Sequence, residues 1–147
     1  MSIIYSNKDL IDPNSGEVVG RIRPLLYVSG PMFSQGNLIT NIRRAANVGF
    51  QAFNRGWAPI VPHLDILSQL ITGYTEAEGY LETDLSIVVK CDALLLTLQE
   101  FDAYTKKGDK TGTMREVELA ESLGIPIYMN ITTLPYVVKC KIQRFAS

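Results

Sequence analysis

Cys91-Asp92-Ala93-Leu94-Leu95-Leu96-Thr97-Leu98 decides the fold. Its apolar run is continuous rather than alternating, the mark of a strand covered on both faces, and such strands belong to parallel sheets flanked by helices. Towards the N-terminus, Leu25-Leu26-Tyr27-Val28-Ser29 has the same character and closes on Gly30-Pro31. Ala58 to Val61 reads as a short strand closed by Pro62-His63, and Pro126 to Met129 reads as another.

Helical patterns fill the intervals. Leu38, Ile42, Ala45, Gly49, Ala52 and Phe53 recur at spacings of three and four, with Gly56 placed as a C-cap. A second helix is predicted over about 75–90 from Tyr80, Leu81, Leu85, Val88 and Val89, and a third over about 113–123, capped by Gly124. Alternating strands and helices predict the α/β class: an open, mostly parallel, doubly wound sheet of Rossmann or flavodoxin type, with helices on both faces and right-handed crossovers. Ahead of it, Ile3-Ile4-Tyr5 and Val18-Val19-Gly20-Arg21-Ile22 flank the turn residues Asp12-Pro13-Asn14-Ser15-Gly16, which predicts an N-terminal β-hairpin. The expected organisation is one domain over 1–147: hairpin 1–23, core 24–130 and a C-terminal tail 131–147.

Of the 147 residues, 46% are hydrophobic and 20% charged, the balance of a soluble domain with one core. Fourteen basic against fifteen acidic residues leave a net charge of -1, so no bulk field favours a nucleic-acid polymer or an anionic membrane. Nothing reads as a signal peptide or a membrane span, and the expected location is cytoplasmic. Cys91 and Cys140 lie far apart without a CxxC pattern and read as reduced thiols, while a single histidine, His63, cannot build a His-rich metal centre.

In open parallel sheets ligands sit beyond the carboxyl ends of the strands. Three segments gather there. Tyr27 to Asn37 is a strand, a turn containing Gly30 and Gly36, and a helix start, a place where backbone N–H groups can approach a ligand. It is neither a Walker loop nor GxGxxG. Glu82-Thr83-Asp84-Leu85 places Asp84 one residue off the apolar face of its helix, where it reads either as a solvated charge or as a proton donor to a leaving group. Gly112-Thr113-Met114-Arg115-Glu116 contains Thr113-x-x-Glu116, which by position reads first as a capping box and, alternatively, as a carboxylate held ionised by a helix N-terminus, as a nucleophile must be.

Taken in order, Tyr27-Val28-Ser29-Gly30-Pro31, Asn41-Ile42-Arg43-Arg44-Ala45, Pro62-His63-Leu64, Thr83-Asp84-Leu85, Cys91-Asp92-Ala93-Leu94, Gly112 to Ala120 and Leu123 to Tyr128 resemble the nucleoside 2-deoxyribosyltransferase superfamily. The likeness is to its small, often phage-borne branch, related to the deoxynucleoside-monophosphate N-glycosidases, and it spans residues 25–128. It implies Glu116 as nucleophile, Asp84 as proton donor to the departing base and Tyr27 as the residue orienting the nucleophile. It also implies that Ser29, Gly30, Met32 and Gly36 line the sugar and base pocket, with His63 near the base side and Gly112 and Met114 binding substrate at the nucleophile's turn. The implied reaction is a retaining double displacement at C1′ of a nucleoside or nucleotide, on deoxyribose in preference to ribose, with no metal or organic cofactor and within a homo-oligomer.

The chain departs from the family pattern in its longer segment 99–111, which reads either as a lid over the pocket or as a solvated insertion. There Asp109 is placed to read a base edge, and Lys110 and Thr111 to bind a 5′-phosphate. Lys106, Lys107, Lys110 and Arg43 lean towards a phosphate. Transfer to another base, hydrolysis of a monophosphate and nucleotide binding without turnover all remain open at this point.

Overall fold

The computed structural model describes residues 3–6, 8–31, 38–73, 77–97, 105–106, 109–110 and 112–139. Four parallel strands form the central sheet: β4 (Leu25–Ser29), β5 (Ala58–Ile60), β6 (Ala93–Leu96) and β9 (Ile127–Tyr128), in the order β5-β4-β6-β9. The helices between them are α1 (Leu38–Asn54), α2 (Ile66–Thr72), α3 (Ala77–Val88) and α4 (Gly112–Ser122).

The continuous apolar runs are two interleaved faces. Tyr27, Leu94 and Leu96 point to one side, where Val88, Cys91, Val117 and Ala120 from α3, α4 and the turn after α3 pack on them. Leu26, Ala93 and Leu95 point to the other, against Ala52 of α1, Trp57 and Leu134. The period-two geometry of a strand thus explains why no polar residue interrupts 93–96: both faces are core. The register Leu26↔Ala93, Tyr27↔Leu94, Val28↔Leu95, Ser29↔Leu96 brings the carboxyl ends of β4 and β6 level. At their other ends, Leu25 N–H donates to the Asp92 carboxylate at 2.7 Å and Asp92 N–H to the Leu25 carbonyl at 2.9 Å, which gives Asp92 a structural duty.

The chain leaves β4 towards β5 on one side and later fills β6 and β9 on the other, so the order reverses between β4 and β6. In doubly wound sheets this reversal opens a crevice at the strand ends. Gly56 adopts φ 95°, and a side chain there would strike the Val137 carbonyl, so it both ends α1 and admits the C-terminal segment.

Two expectations are corrected at the termini. The hairpin exists, but its arms are β2 (Asp9–Ile11) and β3 (Val18–Arg21); Ile3-Ile4-Tyr5 instead belongs to β1 (Ile3–Ser6). β1 pairs in parallel with β10 (Tyr136–Lys139), so residues 131–139 are an integrated part of the body. Leu134 is fully buried, Arg55 donates to the carbonyls of Ile131 and Leu134 at 2.7 and 2.8 Å, and Trp57 Nε1 donates to Pro135 at 2.8 Å. Helix α2 was not foreseen, and none of its residues is buried. Within the 99–111 segment, β7 (Thr105–Lys106) and β8 (Asp109–Lys110) pair as a short antiparallel ladder.

Candidate active site

Strand alternation fixes the first two members of the site. Tyr27 and Ser29 are two apart on β4, so both face α3 and α4, and both are fully buried. Ser29 Oγ donates to Glu116 Oε1 at 3.1 Å. The Tyr27 hydroxyl lies beside the same carboxylate without closing a well-formed hydrogen bond. α4 begins at Gly112, so Thr113 lies inside the helix rather than at its N-cap, and the Glu116 side chain reaches across to β4. Of the two readings of Thr113-x-x-Glu116, the geometry favours the carboxylate directed into the crevice.

Glu116 is 6% exposed. Burial pushes its carboxyl up to about 7, and the neighbouring Asp84 charge pushes the same way; the Tyr27 and Ser29 hydroxyls oppose them by favouring the ionised form. The helix N-terminus therefore does not keep Glu116 fully ionised at neutral pH, contrary to the expectation from its place in the first turns. Asp84 sits on α3, which packs against α4. Burial raises its carboxyl to about 6, with the charge of Asp65 adding to the shift, and its Oδ1 is enclosed without a partner. The Tyr27 phenol is driven far above its usual range, first by burial and then by Glu116 and Asp84, so it remains a neutral O–H.

Among the described residues, the buried side-chain polar atoms without a hydrogen-bond partner are Tyr27 Oη, Asp84 Oδ1 and His63 Nδ1. Buried polar groups are nearly always paired, so such orphans mark places where something other than stability has set the residue. Two of the three flank Glu116.

His63, expected near the base side of the pocket, is held in the turn after β5. It is 2% exposed in the 3₁₀ turn Pro62–Asp65, and its Nε2 lies 3.1 Å from the Gly30 carbonyl and 3.3 Å from that of Pro31. Gly30 is confined in turn, because a Cβ there would collide with the Thr97 side chain. Gly112 is exposed at the start of α4, and Met114 is half-buried against the cluster around Tyr27. Met32, Gly36 and Thr111 lie outside the described residues, and for Asp109 and Lys110 only the backbone of β8 is described, so their expected pocket and phosphate roles, and the lid, lie there too. Sequence reasoning missed Asp65, whose charge reaches Asp84 from the turn after β5, and Thr97, which confines Gly30. A Pro-His-Leu-Asp turn directly after a strand was the available signal.

The Cys91 thiol is raised to about 11 by burial and by Asp92, which makes it a packing group and not a nucleophile. A cavity of about 590 Å³ lies elsewhere, between the hairpin and the body, lined by Val18 to Arg23, Asp9, Gly56 and Val137. Arg23 there is committed to the carbonyls of Phe53 and Trp57 and to the Phe53 ring. That cavity gathers no buried titratable group, whereas Glu116 has Asp84 and the Tyr27 hydroxyl beside it. No family model, curated protein or solved structure matches the chain.

Proposed function

We propose that the protein belongs with the nucleoside 2-deoxyribosyltransferases and cleaves the N-glycosidic bond of a deoxynucleoside or its 5′-monophosphate, passing the sugar to another base through a glycosyl ester on Glu116. The observation that carries this reading is the buried Glu116 carboxylate, held by Ser29 and flanked by the unpaired Tyr27 hydroxyl and Asp84 Oδ1 at the crevice of the sheet. A protonatable carboxyl beside a buried carboxylate is the pair that a double displacement at C1′ uses.

An oxygen of ionised Glu116 attacks C1′ while the bond from C1′ to the base nitrogen breaks, its electron pair leaving with the base. Asp84 gives its proton to that nitrogen. In the second half, the acceptor base attacks C1′ from the vacated side, the ester bond breaks, Glu116 regains its negative charge and the acceptor's proton returns to Asp84. Ser29 and the neutral Tyr27 orient the attacking oxygen. The Ser29 hydrogen bond and the nearby Tyr27 hydroxyl favour the ionised carboxylate, and burial strips it of water, so the nucleophile is positioned and poorly solvated at once.

The enzyme is proposed to act in the cytoplasm as a homo-oligomer, on small-molecule substrates only and without a cofactor. Among the described residues no helix is long and apolar enough to cross a membrane. The test is chromatography of wild type and Glu116→Ala incubated with deoxynucleosides and their 5′-monophosphates, with and without an acceptor base. Exchanged nucleoside from wild type alone carries the transferase reading. Free base with no exchange moves the assignment to a monophosphate N-hydrolase, and no reaction at all moves it to a nucleotide-binding protein.

A further inference from the structure

We infer that His63 is a positioning residue of the Glu116 site: its Nε2–H clamps the Gly30 and Pro31 carbonyls and thereby sets the Ser29 hydroxyl on the Glu116 carboxylate. The catalytic consequence rests on the reading of Glu116 as a nucleophile; the geometric inference does not.

A carbonyl oxygen only accepts, so the ring nitrogen that faces two of them carries the proton, and Nδ1 is left as a bare acceptor. That acceptor is enclosed without a partner, an arrangement that costs stability and gains nothing for packing. The imidazole is 2% exposed, and burial disfavours its charged form, so the donor is a neutral Nε2–H tautomer.

What the clamp holds is the turn that carries Ser29. From the β6 side, Thr97 N–H donates to the Ser29 carbonyl at 3.0 Å, and the Thr97 side chain fills the space where a Cβ of Gly30 would lie. β5 lies on the opposite flank of β4, and the turn that follows it delivers His63. Ser29 is thus gripped from both sides of its strand, one residue before the point where His63 binds. Its hydroxyl meets Glu116 Oε1 at 3.1 Å, a separation at which a small rotation of the turn removes the bond.

The chain has a single histidine, so ¹⁵N NMR of the imidazole reads this residue without ambiguity. The expected spectrum of wild type is that of the neutral Nε2–H tautomer; a Nδ1–H tautomer or an imidazolium at neutral pH overturns the inference. Carboxyl ¹³C titration of Glu116 then compares wild type, His63→Gln and His63→Leu, with the equally donor-free His63→Met in place of Leu should that variant not fold. Glutamine carries its amide nitrogen to the Nε2 position, whereas leucine has no donor. The donor-free variant is expected to raise the Glu116 midpoint by about 1 pH unit, the loss of one hydrogen bond to the ionised form, while Gln keeps the wild-type midpoint. An unchanged midpoint without the donor, or an equal shift in Gln, overturns it.

These readouts need no substrate, so a failure of the proposed function shows separately, as wild type without turnover. With turnover, His63→Leu lowers kcat by about tenfold at near-constant KM, and His63→Gln restores it.

Discussion

Ser29 Oγ donates to Glu116 Oε1 at 3.1 Å across 87 residues of chain and joins β4 directly to α4. The bond ties a central strand of the sheet to the helix carrying the proposed nucleophile.

Activity is expected to follow a bell in pH, with its maximum between about 6 and about 7. The carboxyls of Asp84 and Glu116 are raised to those two values, and the reaction needs Glu116 ionised and Asp84 protonated. The active form is the rarer arrangement of one proton on two groups. A kcat/KM profile that is flat from pH 5 to 8 contradicts this assignment.

Glu116→Gln is expected to abolish turnover and, at alkaline pH, to stabilise the protein. The carboxyl rises from 4.5 unfolded to about 7 folded. Folding therefore favours the protonated acid: its contribution is complete below 4.5 and is lost as pH rises through about 7. The neutral amide avoids that loss, so denaturant melts should show a gain over wild type that is small at pH 5 and approaches roughly 3 kcal/mol at pH 8. Equal gains at both pH values would show that ionisation is not the cause.

Asp84→Asn should slow the departure of poor leaving bases far more than good ones, because it removes the proton but keeps the shape. Nucleosides with bases of graded basicity, compared under single-turnover conditions, measure this. Uniform slowing would leave Asp84 an electrostatic neighbour only.

Gly30→Ala is expected to cost about 1–3 kcal/mol of stability through the collision with Thr97. Thr97→Ala should recover much of that cost in the double variant, which a double-mutant cycle in urea quantifies. Additive effects would mean that the two residues do not meet.

A homo-oligomer is expected at assay concentration, by light scattering. Leu67, Leu70 and Ile71 on α2 are 62%, 75% and 84% exposed, an apolar surface that an assembly would cover. Ile71→Glu should then shift the mass towards the monomer, and an unchanged monomeric mass for wild type would remove the oligomer from the proposal.

The sheet was legible because its signal is local. Ala93 to Leu96 reads as a strand covered on both faces, and both faces are core. Pairing between distant segments leaves no such mark: Ile3-Ile4-Tyr5 looks the same whether it meets the hairpin or residues 136–139. α2 escaped because its apolar residues face outward and mimic no buried stripe. At the site, residue types and spacing made Glu116 and Asp84 candidates beside a bland alternative for each, and direction and burial were invisible. That is why the two carbonyls that His63 meets were not foreseen, and why Glu116 was expected to be ionised where burial raises it.

The ladder between β1 and β10 also orders events in time. Ile3 is translated long before its partner Tyr136, with the whole central sheet between them in sequence. Until then β1 is a strand without a neighbour, and closing so long a loop is entropically the most expensive step in the chain. The sheet around β4 and β6 can assemble before this closure, so β1, translated ahead of that sheet, is expected to find its place after it.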